Sequence, residues 1–153
     1  MPNWCKNTAT VHVDSEEKKN DLLKWFRGDS PFNDICPQPE GAEEVWYNWR
    51  IENWGTKWEP EVETIHDDFD KYKTVHLDFV TAWGPPTGIY QKLTELGYKV
   101  YAAYIEPGMD FCGTYSPEKG DQYLEDYTKI VNEWPREEWP EVLRDVDDSY
   151  PLD

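Results

Sequence analysis

Basic residues are scarce in this sequence. Its 153 residues include 15 Lys and Arg against 32 Asp and Glu, which gives a formal net charge of -17 at pH 7. Affinity for nucleic acid depends mainly on Lys and Arg that neutralise phosphates, so this composition argues against direct binding of DNA or RNA. The same negative field would attract a partner with a basic surface.

Cysteines and long apolar runs are also few. The three cysteines, at positions 5, 36 and 112, are an odd number at wide spacing, which is typical of reduced thiols rather than of a disulfide framework. The chain has no run of roughly eighteen apolar residues and no basic N-terminal region followed by an apolar one, so neither a membrane span nor a signal peptide is expected. These features predict a cytoplasmic protein.

Sequence signatures of catalysis and metal binding are missing. There is no CxxC, HxxxH or HExxH spacing, no Walker loop and no GxGxxG. His66, Asp67 and Asp68, near His76 across a hairpin, form a weak metal candidate that solvated polar side chains explain better. We therefore expect no cofactor, no metal and no catalytic residues, and a hydrolase with an unrecognised site is the third functional alternative.

The pattern of apolar residues predicts an α+β fold. Alternation indicates strands over 7–13, 62–69, 73–83 and 99–105, and helical spacing indicates helices over 15–27 and 86–97. The order β-α-β-β-α-β is that of a ferredoxin-like split βαβ sandwich, an antiparallel sheet with helices on one face. The nine Trp, ten Tyr and five Phe supply its core and argue against disorder.

Segments outside this pattern are expected to decorate the sheet. Prolines predict a rigid loop over 29–41, an inserted helix follows over 43–54, and 111–115 and 122–127 indicate short additional strands. We place one domain over 1–130. Residues 131–153 form an acidic C-terminal extension with a helix over 137–146 and a frayed end over 147–153.

Six short motifs rich in Trp, Gly and Pro occur in order along residues 3–113. They are Asn3-Trp4-Cys5 with Asn7, Ile35-Cys36-Pro37 with Pro39, Trp46-Tyr47-Asn48-Trp49, Asn53-Trp54-Gly55-Thr56-Lys57-Trp58, Thr81-Ala82-Trp83 with Pro85-Pro86, and Glu106-Pro107-Gly108 with Asp110-Phe111 and Gly113. On these motifs the chain resembles the YubB-type ferredoxin-like family of plasmid and bacteriophage proteins. The resemblance implies the fold and a mobile-element origin in a bacterial host cell, and it supplies no catalytic residues.

The most concentrated aromatic segment, residues 53–58, has two interpretations. Its two Trp, hydroxyl and single Lys, with a Trp on either side in sequence, would make a pocket for a nucleotide-like small ligand through stacking and one cation. Alternatively, the Trp side chains fill the core. The pocket residues in the first interpretation are Trp49, Asn53, Trp54, Thr56, Lys57, Trp58 and Trp83.

Two acidic tracts, 59–70 and 118–153, carry the charge and are interspersed with aromatic residues. Such surfaces would imitate the phosphate rows of a nucleic acid and bind a basic host protein, although the charge would also serve solubility alone. The candidate contact residues are Glu59, Glu61, Glu63, Asp67, Asp68, Asp70, Glu137, Glu138, Glu141, Asp145, Asp147 and Asp148. The favoured function is thus a non-catalytic counter-defence inhibitor, and an unpaired edge strand leaves a homodimer open.

Overall fold

A computed structural model describes residues 3–41 and 45–152 as an α+β protein built on one antiparallel sheet. The strands are β1 (Trp4–His12), β2 (Glu61–Asp68), β3 (Thr74–Ala82), β4 (Lys99–Glu106), β5 (Phe111–Ser116) and β6 (Gly120–Glu125). The helices are α1 (Glu16–Arg27), α2 (Pro31–Ile35), α3 (Trp46–Asn53), α4 (Phe69–Tyr72), α5 (Thr87–Glu95), α6 (Tyr127–Glu133) and α7 (Glu141–Ser149), with a 3-10 turn at Arg136–Glu138.

The six strands lie in the order β2-β3-β1-β4-β5-β6, and every neighbouring pair is antiparallel. Alternate residues of each strand point to opposite faces of the sheet. Because apolar and polar residues alternate along the strands, one face is apolar and the other is largely polar. A bulge between Val62 and Thr64 interrupts the pairing of β2 with β3. Strands β3 and β1 lie between β2 and β4, and their inward-facing residues are almost fully buried.

Helices α1 and α5 cover the apolar face and form the main core with it. The Ser15 side chain accepts a hydrogen bond from the Lys18 amide at the start of α1, and two glutamates follow in the first turn, where the helix dipole favours negative charge. The core side chains of the two helices are Leu22, Leu23, Phe26, Ile89, Tyr90 and Leu93, and those of the strands include Ala9, Val11, Val75, Leu77, Phe79 and Val100.

Helix α7 covers part of the opposite face, over β4, β5 and β6. Its buried Leu143 and Val146 contact a second apolar cluster that includes Ala103, Ile105 and Cys112 from the sheet. Within the described ranges, the main contacts of α7 on this face are with β4, β5 and β6, so it covers the β1 and β3 part less closely. A groove therefore runs between α7 and the neighbouring strands.

The α+β class, the four strands of the predicted β-α-β-β-α-β order and the two additional strands are confirmed, with bounds that shift by a few residues. The predicted inserted helix corresponds to α3, and its predicted first residues, Glu43 and Glu44, lie outside the described residues. Two predictions are wrong. The loop over 29–41 contains a helical turn, α2, whose Phe32 and Ile35 are buried.

The C-terminal end is the second correction, because it is packed rather than frayed. Helix α7 continues to Ser149, and Tyr150 and Leu152 contact the second apolar cluster. The Asp147 carboxylate accepts a hydrogen bond from the Leu152 amide at 2.9 Å, which fixes the chain after the helix. None of the helices within the described ranges is both long enough and apolar enough to cross a bilayer.

Candidate functional site

The polar face of the sheet brings together side chains from three neighbouring strands. Thr10 of β1 lies opposite His76 of β3 on one side and Tyr101 of β4 on the other. One step along the sheet, Thr8 lies opposite Asp78. Because the period of a strand is two residues, all five side chains point to the same face, the one that α7 only partly covers.

His76 is the centre of a hydrogen-bonded group on this face. Its Nε2 atom is 3.1 Å from the Thr8 hydroxyl and 3.2 Å from Oδ1 of Asp78, and its Nδ1 atom is 3.2 Å from the Thr10 hydroxyl. Because a carboxylate can only accept, Nε2 donates to Asp78 in this arrangement. The imidazole is thereby held in one orientation on an accessible surface.

Tyr101 and Glu118 extend this polar surface toward β5. The Tyr101 hydroxyl donates a 3.0 Å hydrogen bond to Oε1 of Glu118, and this bond raises the pKa of Tyr101 because it stabilises the neutral phenol. The Tyr101 ring makes an edge contact with the His12 imidazole at 5.3 Å between ring centres. This tyrosine therefore presents an oriented ring beside a carboxylate.

Helix α7 forms the other wall of the groove. Its apolar side chains face the sheet, so the helical repeat places Glu141, Asp145 and Ser149 along the groove. The groove encloses about 960 Å³, and its charged lining consists of four carboxylates and one lysine besides His76, namely Asp78, Glu118, Glu141, Asp145 and Lys119. Lys119 is 3.3 Å from Glu141, so the excess of negative charge remains on the other three carboxylates.

The predicted Trp pocket divides into a buried part and an exposed part. Trp54 is fully buried, and its indole nitrogen donates to the Cys36 carbonyl at 2.9 Å. Thr56 is also fully buried and donates to the Ala82 carbonyl at 2.7 Å. These two residues belong to the core, so their prediction as ligand contacts is wrong.

The remaining pocket residues lie at or near the surface. Trp49 is half-buried against Trp54, and the exposed Asn53 donates to the Trp49 carbonyl. Lys57, Trp58 and Trp83 lie close together at one end of β1 and β3, where Trp4 and Tyr47 join them. We call Trp4, Tyr47, Lys57, Trp58 and Trp83 the aromatic cluster.

Some of the predicted acidic contact residues have structural roles instead. Glu59 accepts hydrogen bonds from the Phe32 and Asn33 amides at 2.8 and 3.0 Å, where it holds the start of α2. Burial raises the pKa of Glu59, and the two amides oppose this to a lesser degree. Glu59 is thus a structural acceptor, not a free contact residue.

Asp67 and Asp147 also have partners within the chain, and their prediction as contacts stays a prediction. Asp67 accepts from the Phe69 amide and lies 3.4 Å from the Lys19 ammonium. Asp147 binds the Arg136 guanidinium at 3.1 Å in addition to the Leu152 amide, and Asp148 binds the same guanidinium. Glu141 and Asp145 line the groove, and the other predicted acids are exposed, namely Glu61, Glu63, Asp68, Asp70, Glu137 and Glu138.

The weak metal candidate does not assemble. His66 pairs with His76 across β2 and β3, but Asp67 points to the opposite face of the sheet, where it meets Lys19. Throughout residues 3–41 and 45–152, no three His, Cys, Asp or Glu side chains are grouped so that they could hold a metal ion. Burial raises the pKa of all three cysteine thiols, that of Cys112 to about 12, so these thiols stay protonated at neutral pH.

The groove residues other than Glu141 and Asp145 were not among the predicted site residues. The sequence contained a signal for them, since Thr8 and Thr10 in one strand and His76 and Asp78 in another alternate with core residues. What the sequence did not specify is the register that brings these four side chains together and the position of α7 beside them. Comparisons of the chain with protein-family models, with curated proteins and with solved structures find no match.

Proposed function

We propose that this protein acts by binding, and that the groove between α7 and the sheet holds a basic segment of a partner protein. The observation that carries the proposal is the composition of the groove. It has room for several side chains, and Asp78, Glu118 and Asp145 supply carboxylates that the single lysine of the lining does not neutralise.

Electrostatic interactions favour a cationic occupant of the groove both at long range and at short range. At long range, a net charge of -17 steers a basic partner toward the protein and raises the rate of association. At short range, Arg or Lys side chains would find carboxylates on both walls of the groove, and Arg would also stack on the accessible Tyr101 ring. The hydroxyls of Thr8 and Thr10 add polar partners for the segment.

The surface next to the groove continues the same charge pattern. Glu137 and Glu138 lie exposed in the 3-10 turn before α7 and carry the acidic character beyond the groove. Trp134, nearby in sequence, is 46% exposed. An aromatic side chain among carboxylates is a common composition for a protein interface. In such an interface the aromatic side chain anchors the partner, and the charged rim orients it.

The proposed setting follows from the resemblance to plasmid and bacteriophage proteins. The order β4-β1-β3-β2, with α1 and α5 on one face, supports assignment to the ferredoxin-like fold that this family implies. In this setting the partner is a basic host protein, and the acidic surface imitates the nucleic acid that the host protein binds. The proposed role is that of a cytoplasmic counter-defence inhibitor.

A hydrolase has less support than a binding protein. His76 and Asp78 resemble part of an acid-base pair, but they lie on an open sheet face with about a third of each side chain exposed. Their hydroxyl neighbours are threonines in the middle of a strand, and the buried thiols of the chain are protonated. Such an arrangement recognises polar groups better than it activates a nucleophile.

A labelled Lys/Arg-rich peptide tests the groove directly by fluorescence anisotropy. The double variant Glu141→Lys with Asp145→Lys should weaken binding by roughly tenfold or more, because it replaces attraction by repulsion within the groove. The matched control is Asp68→Lys with Asp70→Lys, which changes the net charge equally in the other acidic tract, outside the groove. Equal loss in both variants would show that only overall charge matters and would contradict the groove.

The partner itself is sought by capture of host proteins on the tagged chain at low and at high salt, followed by mass spectrometry. A basic protein that is captured by the parent chain and lost with the groove variant, but kept by the control variant, would support the proposal. If the parent chain and both variants capture the same basic protein equally well, the proposal is contradicted.

A further inference from the structure

The aromatic cluster exposes large aromatic surface at one end of the sheet. The exposed fractions of Trp4, Tyr47, Trp58 and Trp83 are 40%, 48%, 38% and 41%, and the rings of Trp4 and Trp58 lie 6.3 Å apart. Exposed apolar side chains are ordinary when they are scattered, but a contiguous group of this kind marks a binding surface. The groove residues take no part in it.

Lys57 places a positive charge in the middle of these rings. Its ammonium group lies 4.4 Å from the ring centre of Trp58, 5.5 Å from that of Trp83 and 5.7 Å from that of Tyr47. Within the described ranges, no carboxylate lies within ion-pair distance of this ammonium group, although the chain contains 32 acidic residues. The charge is therefore available to an anionic group of a ligand.

Lys6 adds a second cation beside the cluster. It follows Trp4 by two residues in β1, so the two side chains share a face of the sheet. Lys6 also has no ion pair with the residues that the structure describes. The cluster thus combines flat aromatic surfaces with the ammonium group of Lys57, and Lys6 is the next residue of β1 on the same face as Trp4.

The loop that carries Lys57 and Trp58 is held rigidly. The Arg50 guanidinium stacks on the Trp54 ring at 4.6 Å and donates to the Lys57 carbonyl at 3.1 Å. Gly55 has a φ of +91°, and a Cβ atom there would lie 2.8 Å from the Pro85 carbonyl oxygen. This close approach joins the loop to the segment that follows Trp83, so the rings are positioned before any ligand arrives.

The backbone conformation of Trp83 is an independent observation that favours a binding role for its ring. Trp83 has a φ of +69°, in the left-handed region that a bulky residue rarely adopts. Its amide donates to the Asn3 carbonyl at 2.8 Å, which holds this conformation in place. Strain of this kind at an exposed aromatic residue is typical of ligand-binding positions.

We propose that the aromatic cluster binds a nucleoside phosphate: the base displaces the Lys57 ammonium group from over the indole rings of Trp58 and Trp83 and stacks on them, and the ammonium group turns to the phosphate. Every nucleobase has a flat face that stacks on aromatic side chains, and a phosphate needs the positive charge that Lys57 supplies. A mononucleotide fits better than a nucleic-acid strand, because a chain with a net charge of -17 repels a long polyanion. This second site is independent of the groove and of its partner.

Calorimetric titration with AMP, adenosine and inorganic phosphate tests both halves of the site. AMP should bind more tightly than either fragment, and Lys57→Gln should reduce AMP affinity to that of adenosine. Trp83→Gly should reduce it by roughly 5- to 100-fold through loss of stacking. Glycine suits the left-handed backbone, so this variant should unfold at the same temperature as the parent or higher.

The matched controls are Tyr72→Ala, which removes another exposed aromatic ring in α4, and Lys129→Gln, which removes another exposed lysine in α6. Both should bind AMP as the parent does. The proposal is overturned if AMP gives no binding heat, if folded Trp83→Gly binds like the parent, or if adenosine binds as tightly as AMP. Tighter binding of a short single-stranded oligonucleotide than of AMP at physiological salt would likewise overturn it, in favour of a nucleic-acid site.

Discussion

Tyr104 and Asp121 form a polar pair in which the tyrosine is buried and the carboxylate is at the surface. Tyr104 is fully buried, and its hydroxyl donates a 2.6 Å hydrogen bond to the Asp121 carboxylate. Burial raises the pKa of Tyr104 far above its ordinary value, and Asp121 raises it further. Burial also raises the pKa of Asp121, while the hydrogen bond from Tyr104 lowers it to a smaller degree. The charged form of this carboxylate is therefore disfavoured in the folded protein.

Replacing Asp121 by Asn tests this interpretation. Because the folded-state pKa of Asp121 is raised, its contribution to stability is greatest when it is protonated and declines as pH rises through that pKa. The amide oxygen of Asn still accepts from Tyr104 without a charge. We expect Asp121→Asn to unfold with a higher free energy than the parent at pH 7.5, by less than about 1 kcal/mol because the site is partly exposed.

Urea denaturation between pH 4 and pH 7.5 measures both effects, with Asp126→Asn as the control for loss of one negative charge on an exposed residue nearby in sequence. The difference between Asp121→Asn and the parent should shrink toward the acidic end. An Asp121→Asn protein that is less stable than the parent at pH 7.5 would show that the charged hydrogen bond outweighs burial.

At the scale of elements, α7 determines whether the groove exists. Leu143 and Val146 are fully buried and attach this helix to the sheet through a small apolar cluster. The helix has no side-chain hydrogen bond at its N-cap, Pro140, so its attachment depends largely on these contacts. A loss of packing at this point would open one wall of the groove without touching the main core on the other face.

Leu143→Ala should therefore destabilise the protein by about 2 to 5 kcal/mol, the usual range for a leucine removed from a packed interior. Val142→Ala is the matched control, because Val142 lies on the same helix but faces the groove. Its effect on stability should be well under that of Leu143→Ala. Chemical denaturation gives both values, and similar losses would contradict the assigned orientation of α7.

The sequence predicted the elements whose side chains follow a clear period and missed those that do not. Strands β1 and β3 alternate cleanly, and α1 has both a serine cap and an apolar stripe, so they were found within a few residues. Helix α2 was missed because a five-residue helix among prolines has no periodic signal. The packed C-terminus was missed because its apolar residues are separated by acidic ones.

The candidate sites were predicted in part for the same reason. The segment 53–58 stood out by composition, but sequence cannot tell that Trp54 and Thr56 turn into the core while Lys57 and Trp58 turn outward. The groove depends on contacts between residues that are far apart in the chain, such as Thr8 and His76. Only the strand register and the placement of α7 bring those residues together.

At the scale of the whole molecule, charge repulsion opposes folding. The described residues include few ion pairs between side chains, and Arg136 takes part in two of them. A net charge of -17 then leaves most carboxylates without a nearby cation. Repulsion among them is long-ranged and is screened by salt more than the short ion pairs are.

We expect the melting temperature to rise by a few degrees when NaCl increases from about 20 mM to about 300 mM, because screening weakens repulsion on the folded surface. Differential scanning calorimetry at constant pH measures this shift. Sodium fluoride serves as a control for specific anion binding. A fall in melting temperature with added salt would mean that attractive ion pairs, despite their small number, dominate the electrostatic energy.

The outer strand β2 also bears on how the protein behaves at high concentration. Its exposed acids, Glu61, Glu63 and Asp68, and the bulge after Val62 lie along the free border of the sheet. Two copies that approached through this border would bring like charges together and meet an irregular ladder, so cross-β aggregation should not start there. Neutralising these acids would remove the charge repulsion that protects this border from edge-to-edge pairing.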